Sequence, residues 1–159
     1  MPTPADGLDQ SRLIHLVGYA ASRASIELKK SFAAALGPLD LKAVEFSILV
    51  LVAGNAEVNQ KQLCRALDVS PPKLAVTLDR MAERGWIERV RSTQDRRAQI
   101  VHLTARGRSL TQRAEKIAAT MEHDALSTLS PAEKALLIEL LLKVGLPGAN
   151  MRGRRVTSG

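Results

Sequence analysis

The chain has 159 residues, a formal net charge of +7 and a sequence pI of about 10.1. That is long enough for one domain with its own core, and basic enough to point to a polyanionic partner, either nucleic acid or an anionic membrane. Aromatic residues make up only 3%, which argues against base-stacking platforms for single strands, whereas groove and phosphate contacts to duplex DNA need no aromatics.

The single cysteine, Cys64, excludes an intrachain disulfide framework and fits a reducing cytoplasm. Residues 1–7 lack the charged start and apolar run of a signal peptide, and no window approaches ~18 uninterrupted apolar residues, so neither a leader nor a membrane span is expected.

In chain order, the apolar positions Leu13, Val17, Ala20, Ala21, Ala24, Leu28 and Phe32 predict a first helix from about Leu8 to Leu36, ended by Gly37-Pro38. A second helix is expected from about Leu41 to Ala53, stopped by Gly54-Asn55. Asn59 is placed to cap a short third helix to about Leu67, with Asp68-Val69 as a turn. Ser70 then caps a fourth helix with Pro71 at its first position, where a missing amide hydrogen costs nothing, and this helix ends at Gly85. Trp86 to Arg91 and Ala98 to Leu103 read as strands, joined by an arginine-rich link. Thr104 opens a fifth helix, expected to run from about Ala105 to Leu129. Ser130-Pro131-Ala132-Glu133 is a capping box with proline at the first helical position, opening a sixth helix to about Val144.

This order predicts a mainly α fold with a small β-hairpin wing: a winged helix-turn-helix with N- and C-terminal dimerisation helices. The expected division is 8–36 and 104–144 for the helical dimerisation region, 40–103 for the winged DNA-binding region, and 145–159 for a flexible basic tail carrying Arg152, Arg154 and Arg155. The sixth helix is apolar nearly all round, through Leu136, Leu137, Ile138, Leu140, Leu141, Leu142 and Val144. A surface helix needs only one apolar stripe, so the simplest outlet is a second copy of the chain, a homodimer. The alternative is a hydrophobic hairpin at the centre of a monomer.

In helix-turn-helix geometry the second helix offers its N-terminal side chains to base edges. Here these are Ser70, Pro72, Lys73, Val76 and Thr77, with Leu74, Leu78 and Met81 on the opposite, core-facing side. Lys73 suits a base edge or a phosphate, Thr77 a thymine methyl or a phosphate, and Arg80, one turn further on, a phosphate. The plainer alternative makes Lys73 and Thr77 ordinary solvated positions. In the link, Asp95-Arg96-Arg97 suits a hairpin tip entering the minor groove, where narrow A·T-rich stretches concentrate negative potential. Asp95 makes sense there as a partner that holds an arginine fork, and Arg89 and Arg91 add charge toward the DNA backbone. The alternative is a hairpin tip kept soluble by its arginines.

Taken together these residues resemble the MarR family of winged-helix transcriptional regulators over residues 8–144. The matching features are Leu39-Asp40-Leu41, Glu45-Phe46 and Leu49; Leu63, Leu67 and Val69-Ser70; Leu78-Asp79-Arg80-Met81 followed by Gly85, Ile87 and Arg89; and Asp95-x-Arg97 running to Val101-x-Leu103-Thr104 and Gly107. The resemblance implies a homodimer on a pseudo-palindromic operator in double-stranded DNA. Arg97 would enter the minor groove with Asp95 in support, and repression would be relieved by a small-molecule effector or, in a redox-sensing subset, by oxidation. Lys42 departs from the pattern, standing where many relatives cap the second helix with Ser or Thr, which suggests a start at Asp40. The reactive cysteine of the redox branch is missing near the first helix, and Cys64, among Leu63, Ala66 and Leu67, reads as a small buried hydrophobe.

Members of that family typically bind effectors between the dimerisation helices and the winged region. His15, Tyr19 and Ser22 follow helical spacing on the first helix, with Arg12 and Arg23 adjacent, and Phe46 on the second helix is placed to line the same cleft. These groups suit an aromatic acid or a related compound. The plainer reading, slightly favoured, has Tyr19 in the subunit interface with His15 and Arg23 on the surface. The scattered histidines His15, His102 and His123, with no phosphate loop, metal-ligand spacing or nucleophile elbow, argue against an enzyme, a metal or a cofactor. A membrane-surface protein is disfavoured because the basic residues gather on the expected wing. The remaining alternative is an architectural DNA binder without sequence preference.

Overall fold

A computed structural model describes residues 7–91 and 99–146. Asp95, Arg96 and Arg97, and the tail arginines Arg152, Arg154 and Arg155, lie outside the described residues. The chain divides into two compact units, Met1–Glu122 and His123–Gly159.

In the first unit, helix α1 spans Val17–Leu36, shorter than expected. Residues 11–15 form turns instead, with the Leu13 and Leu16 amides donating to the carbonyls of Gln10 and Leu13 at 2.9 Å. Leu16 then adopts an extended backbone and starts the helix without a side-chain cap. The apolar spacing continues through the turns, so periodicity alone does not reveal the boundary. A 3-10 turn, Gly37–Leu39, closes the helix and leads to Asp40 in the left-handed region at φ 48°.

Asp40 therefore does not start α2, which runs Ala43–Ala53 from Lys42. Lysine carries no acceptor for the orphan amides, but the Glu45 carboxylate reaches back and accepts the Lys42 N–H at 2.8 Å, half of the reciprocal capping box. Glu45, Ile48, Leu49 and Val52 form its buried stripe, at the spacing that puts side chains on one helical face.

A two-residue strand β1, Val58–Asn59, follows, too short to show a period of its own. Asn59 caps α3, Gln60–Leu67, in a full box with Gln62: Asn59 Oδ1 accepts the Gln62 N–H at 2.9 Å and Gln62 Oε1 accepts the Asn59 N–H at 2.8 Å. Asp68, left-handed at φ 50°, makes the turn. Helix α4, Pro71–Glu83, starts from Ser70, whose side chain makes no cap bond, and the chain leaves it through Gly85 at φ 69°.

Strands β2, Ile87–Arg91, and β3, Gln99–Leu103, complete an antiparallel sheet of order β1-β3-β2, with Val58 opposite Val101 and Arg89 opposite Val101 on the other side. Thr104 caps α5, Ala105–Ala118, its hydroxyl oxygen accepting the Gly107 N–H at 3.0 Å. A Cβ built on Gly107 would lie 1.9 Å from the Trp86 carbonyl oxygen, so only glycine lets α5 settle against the sheet here. Helix α5 ends at Ala118 rather than near Leu129, and residues 119–128 form turns. Leu36, Ile48, Leu49, Leu63, Leu74, Leu78 and Met81 form the centre of the core, each at 0–1% exposure.

The second unit contains helix α6, Pro131–Gly145, capped as expected by Ser130 and Glu133. None of its side chains is buried, and Leu136, Ile138, Leu140, Leu141 and Val144 are 44–75% exposed. No helix among the described residues is long and apolar enough to cross a membrane.

Candidate nucleic-acid interface

Helix α4 has two chemically opposite faces. Leu74, Leu78 and Met81 are fully buried, as their spacing predicts. Ser70, Pro72, Lys73 and Val76 are exposed together on the other side, Val76 at 70%. A bare valine between polar neighbours leaves an apolar contact surface of the size that a thymine methyl group would cover. Thr77 is half-buried, and its hydroxyl donates to the Lys73 carbonyl at 3.0 Å. That bond leaves the oxygen free to accept but commits the proton to the helix itself. Gln60 Nε2 donates to the Pro71 carbonyl at 3.3 Å, tying α3 to the first turn of α4.

Three arginine–carboxylate pairs hold this helix and the segment after it in place. Arg80, expected at the DNA backbone, instead turns its guanidinium onto Glu45 of α2: Nε donates to Oε1 at 2.8 Å and Nη2 joins the same oxygen. Glu45 is entirely buried while the Arg80 side chain is 36% exposed. The carboxylate thus satisfies both the start of α2 and the middle of α4, and a buried charge with these partners is tolerated because its lone pairs are used. Arg89 of β2 likewise points inward, Nη2 donating to Asp79 Oδ1 at 2.7 Å and to the Ala75 carbonyl at 3.3 Å. Its charge locks the sheet to α4 more than it extends toward DNA. Arg84 pairs with Asp40 at 2.7 Å, donates to the Asp40 carbonyl at 2.9 Å, and lies 3.9 Å over the Trp86 ring.

Glu45, Asp79 and Asp40 were not among the site residues that spacing suggested. The partners of Arg80 and Arg84 are 35 and 44 positions away in the chain. Only the i,i+3 type of neighbour is visible in a linear pattern. Arg91 sits exposed at the end of β2.

The expected effector residues are brought together only in part. Arg12 and His15 belong to the turns before α1, not to its face, and both are exposed. On α1 itself Tyr19 is half-buried and donates its hydroxyl to Gln10 Oε1 at 2.5 Å, whereas Ser22 and Arg23 are exposed. Phe46 meets Phe32 of α1 edge-on, ring centroids 5.9 Å apart, so its ring helps join α1 to α2.

Residues 39–98 match the model of the MarR family. The chain is 30% identical to the multiple antibiotic resistance protein MarR of Escherichia coli over 136 residues, covering 86% of this chain and 90% of that protein. Among solved structures, the transcriptional repressor CouR bound to a 23-mer DNA duplex superposes with a TM-score of 0.81 at 32% identity, covering 87% of this chain and 98% of CouR. CouR bound to p-coumaroyl-CoA gives 0.79 at 29% identity, covering 88% and 99%. The buried stripe of α4, the three-stranded sheet and these matches over nearly the whole length agree, and the chain belongs to the MarR family of winged-helix transcriptional regulators.

Proposed function

We propose that this protein is a repressor that binds a pseudo-palindromic operator in double-stranded DNA as a homodimer and is released by a small-molecule effector. The observation that carries the reading is the exposed row Ser70, Pro72, Lys73 and Val76 on a helix fixed from behind by Leu74, Leu78, Met81 and the Glu45–Arg80 pair. A reading helix must present its side chains at fixed positions to discriminate bases, and this one is anchored on its far side along its length. The solved duplex complex of CouR supports the same use of the fold.

The homodimer reading rests on the apolar surface of α6, which exposes five large aliphatic side chains. Residues 8–36 and 104–144 would form the dimerisation region, 40–103 the DNA-binding region and 145–159 a basic tail. Replacing Leu137 and Leu141 by charged residues should convert dimer to monomer in sedimentation, and a double variant that stays dimeric would remove α6 from the interface.

An effector of the aromatic-acid type, or a related compound, is proposed for the α1–α2 side. Tyr19, Ser22, Arg23 and Phe46 would meet it there, with Arg12 and His15 reaching from the preceding turns. CouR, which binds p-coumaroyl-CoA, supports the class.

The test is selection of genomic DNA fragments by the purified protein at physiological salt. Enrichment of one or a few pseudo-palindromic sites supports the repressor. Uniform recovery of all fragments sinks it in favour of an architectural binder, because phosphate contacts alone carry no sequence preference. On a selected site, Arg97→Ala is expected to weaken binding by roughly 1–3 kcal/mol with the fold intact, and an unchanged titration would exclude the wing from recognition.

A further inference from the structure

A cavity of about 540 Å³ opens between the end of α2, strands β2 and β3, and α5, and no residue of α4 lines it. That volume lies within the range of small-molecule sites. Its walls are fixed by the fold. Gly107 brings α5 into contact with the Trp86 carbonyl. The Thr104 hydroxyl donates to the Gly85 carbonyl at 2.6 Å, and Arg108 Nη1 donates to the Leu103 carbonyl at 2.7 Å. Val52 and Leu103 supply an apolar floor.

The polar lining is ordered by charge. On the sheet wall Glu88 and His102 are direct cross-strand partners, so both side chains rise from the same face. On the helix wall Arg108, Gln112 and Glu115 line the cavity. Positions i, i+4 and i+7 share one helical face, and seven residues at 1.5 Å each put the Arg108 and Glu115 backbones about 10 Å apart. The cavity therefore offers a guanidinium at one end of the helix wall, a carboxylate at the other, and an acid–imidazole pair opposite.

We propose that this cavity is a binding site for a small extended zwitterion, an ω-amino acid or short peptide. Its acid group pairs with Arg108, its amine pairs with Glu115 and Glu88, and its chain lies on Val52 and Leu103. A simple anion meets two carboxylates here, and a simple amine meets the guanidinium, so the lining selects for a molecule that carries both charges. The site is separate from the α1–α2 region proposed for an aromatic effector and stands whether or not the chain reads a specific operator. Both strands that lead to the wing form its wall, so an occupant touches the root of the wing directly.

The test is a titration of the isotope-labelled full-length protein with 6-aminohexanoate, followed by amide NMR, with hexanoate and hexylamine as single-charge controls. Saturable shifts clustered at Glu88, His102, Arg108 and Glu115 are expected, with each control binding about fivefold more weakly, in line with the loss of one solvent-accessible ion pair. Glu115→Gln should weaken 6-aminohexanoate by a similar factor and should not weaken hexanoate. Because Arg108 also bonds the Leu103 carbonyl, Glu115→Gln is the decisive variant. Absence of saturable shifts, equal binding of all three compounds, or an unaltered Glu115→Gln titration overturns the proposal.

Discussion

Helix α4 carries four large apolar side chains, Leu74, Val76, Leu78 and Met81, where α6 carries seven, and the two helices treat them in opposite ways. In α4 the aliphatics are segregated: Leu74, Leu78 and Met81 are at 0% exposure, and the opposite face is polar apart from Val76. In α6 they surround the helix, and none is buried. Helix α4 is therefore stabilised by its own chain, through apolar burial on one side and ion pairs to α2 and β2 around the edge. Helix α6 has a secure start, with a proline in its first turn and a reciprocal cap, but no buried side chain. Local signals thus suffice to define where a helix begins, whereas its packing depends on what surface is supplied to it.

The sharpest way to break this contrast is the same substitution in both helices. Leu78→Ala removes side-chain volume from a sealed core and should cost about 2–5 kcal/mol, independent of protein concentration. Leu141→Ala acts on a side chain that is 44% exposed. If α6 joins two copies, its cost should appear as a change in how the unfolding midpoint depends on protein concentration, because association stabilises only the assembled state. Thermal unfolding at several concentrations distinguishes the two. A concentration-dependent loss for Leu78→Ala, or none for Leu141→Ala, would reverse the assignment of these helices.

The next largest effect concerns the charged edge of α4. Arg80→Ala strands the Glu45 carboxylate, which has 0% exposure, without its cation. Breaking a buried pair in this way costs about 3–5 kcal/mol, and the partial exposure of Arg80 moves the expectation to the lower end. Arg80→Ala with Glu45→Gln should recover much of that loss, since glutamine retains an oxygen for the Lys42 amide without the charge. Denaturant unfolding of the single and double variants measures this. If Arg80→Ala left stability untouched and weakened only DNA binding, the arginine would be a phosphate contact after all.

The Arg80 case also shows what a linear reading reaches. Three of the four expected caps were legible because they act over three residues: Asn59 with Gln62, Thr104 with Gly107, and Ser130 with Glu133 form as the sequence suggests, whereas Ser70 starts α4 without a side-chain cap bond. The core face of α4 was legible because its periodicity is sharp. The ends of α1 and α5 were not, since apolar spacing persists through turns whose hydrogen bonds are set by backbone geometry. Arg80 and Arg89 read as free cations because Glu45 lies on another helix and Asp79 across a turn from the strand. An unpaired charge in sequence says nothing about which carboxylate the fold brings to it. Strand β1 escaped because two residues carry no alternation; it exists only as a partner for Ile100 and Val101.

The smallest expected effect tests whether α6 is as locally determined as its cap suggests. The Glu133 carboxylate accepts the Ser130 amide at 2.8 Å. That backbone bond, and then the Ser130 hydroxyl, hold its pKa below the ordinary value of 4.5. A group with a depressed folded-state pKa contributes stability that is complete above its unfolded value and is lost as pH falls through the folded one. The cap should therefore be unaffected from neutral pH down to about 4.5 and weaken only below it. Its loss should appear in the amide and carbon shifts of Ser130 to Lys134 before the core of the first unit responds. Glu133→Gln keeps an acceptor for the Ser130 amide but cannot titrate, so it should hold the helix start while abolishing this pH dependence. A response of the same size in the glutamine variant would show that acid acts on α6 through its surroundings and not through its own first turn.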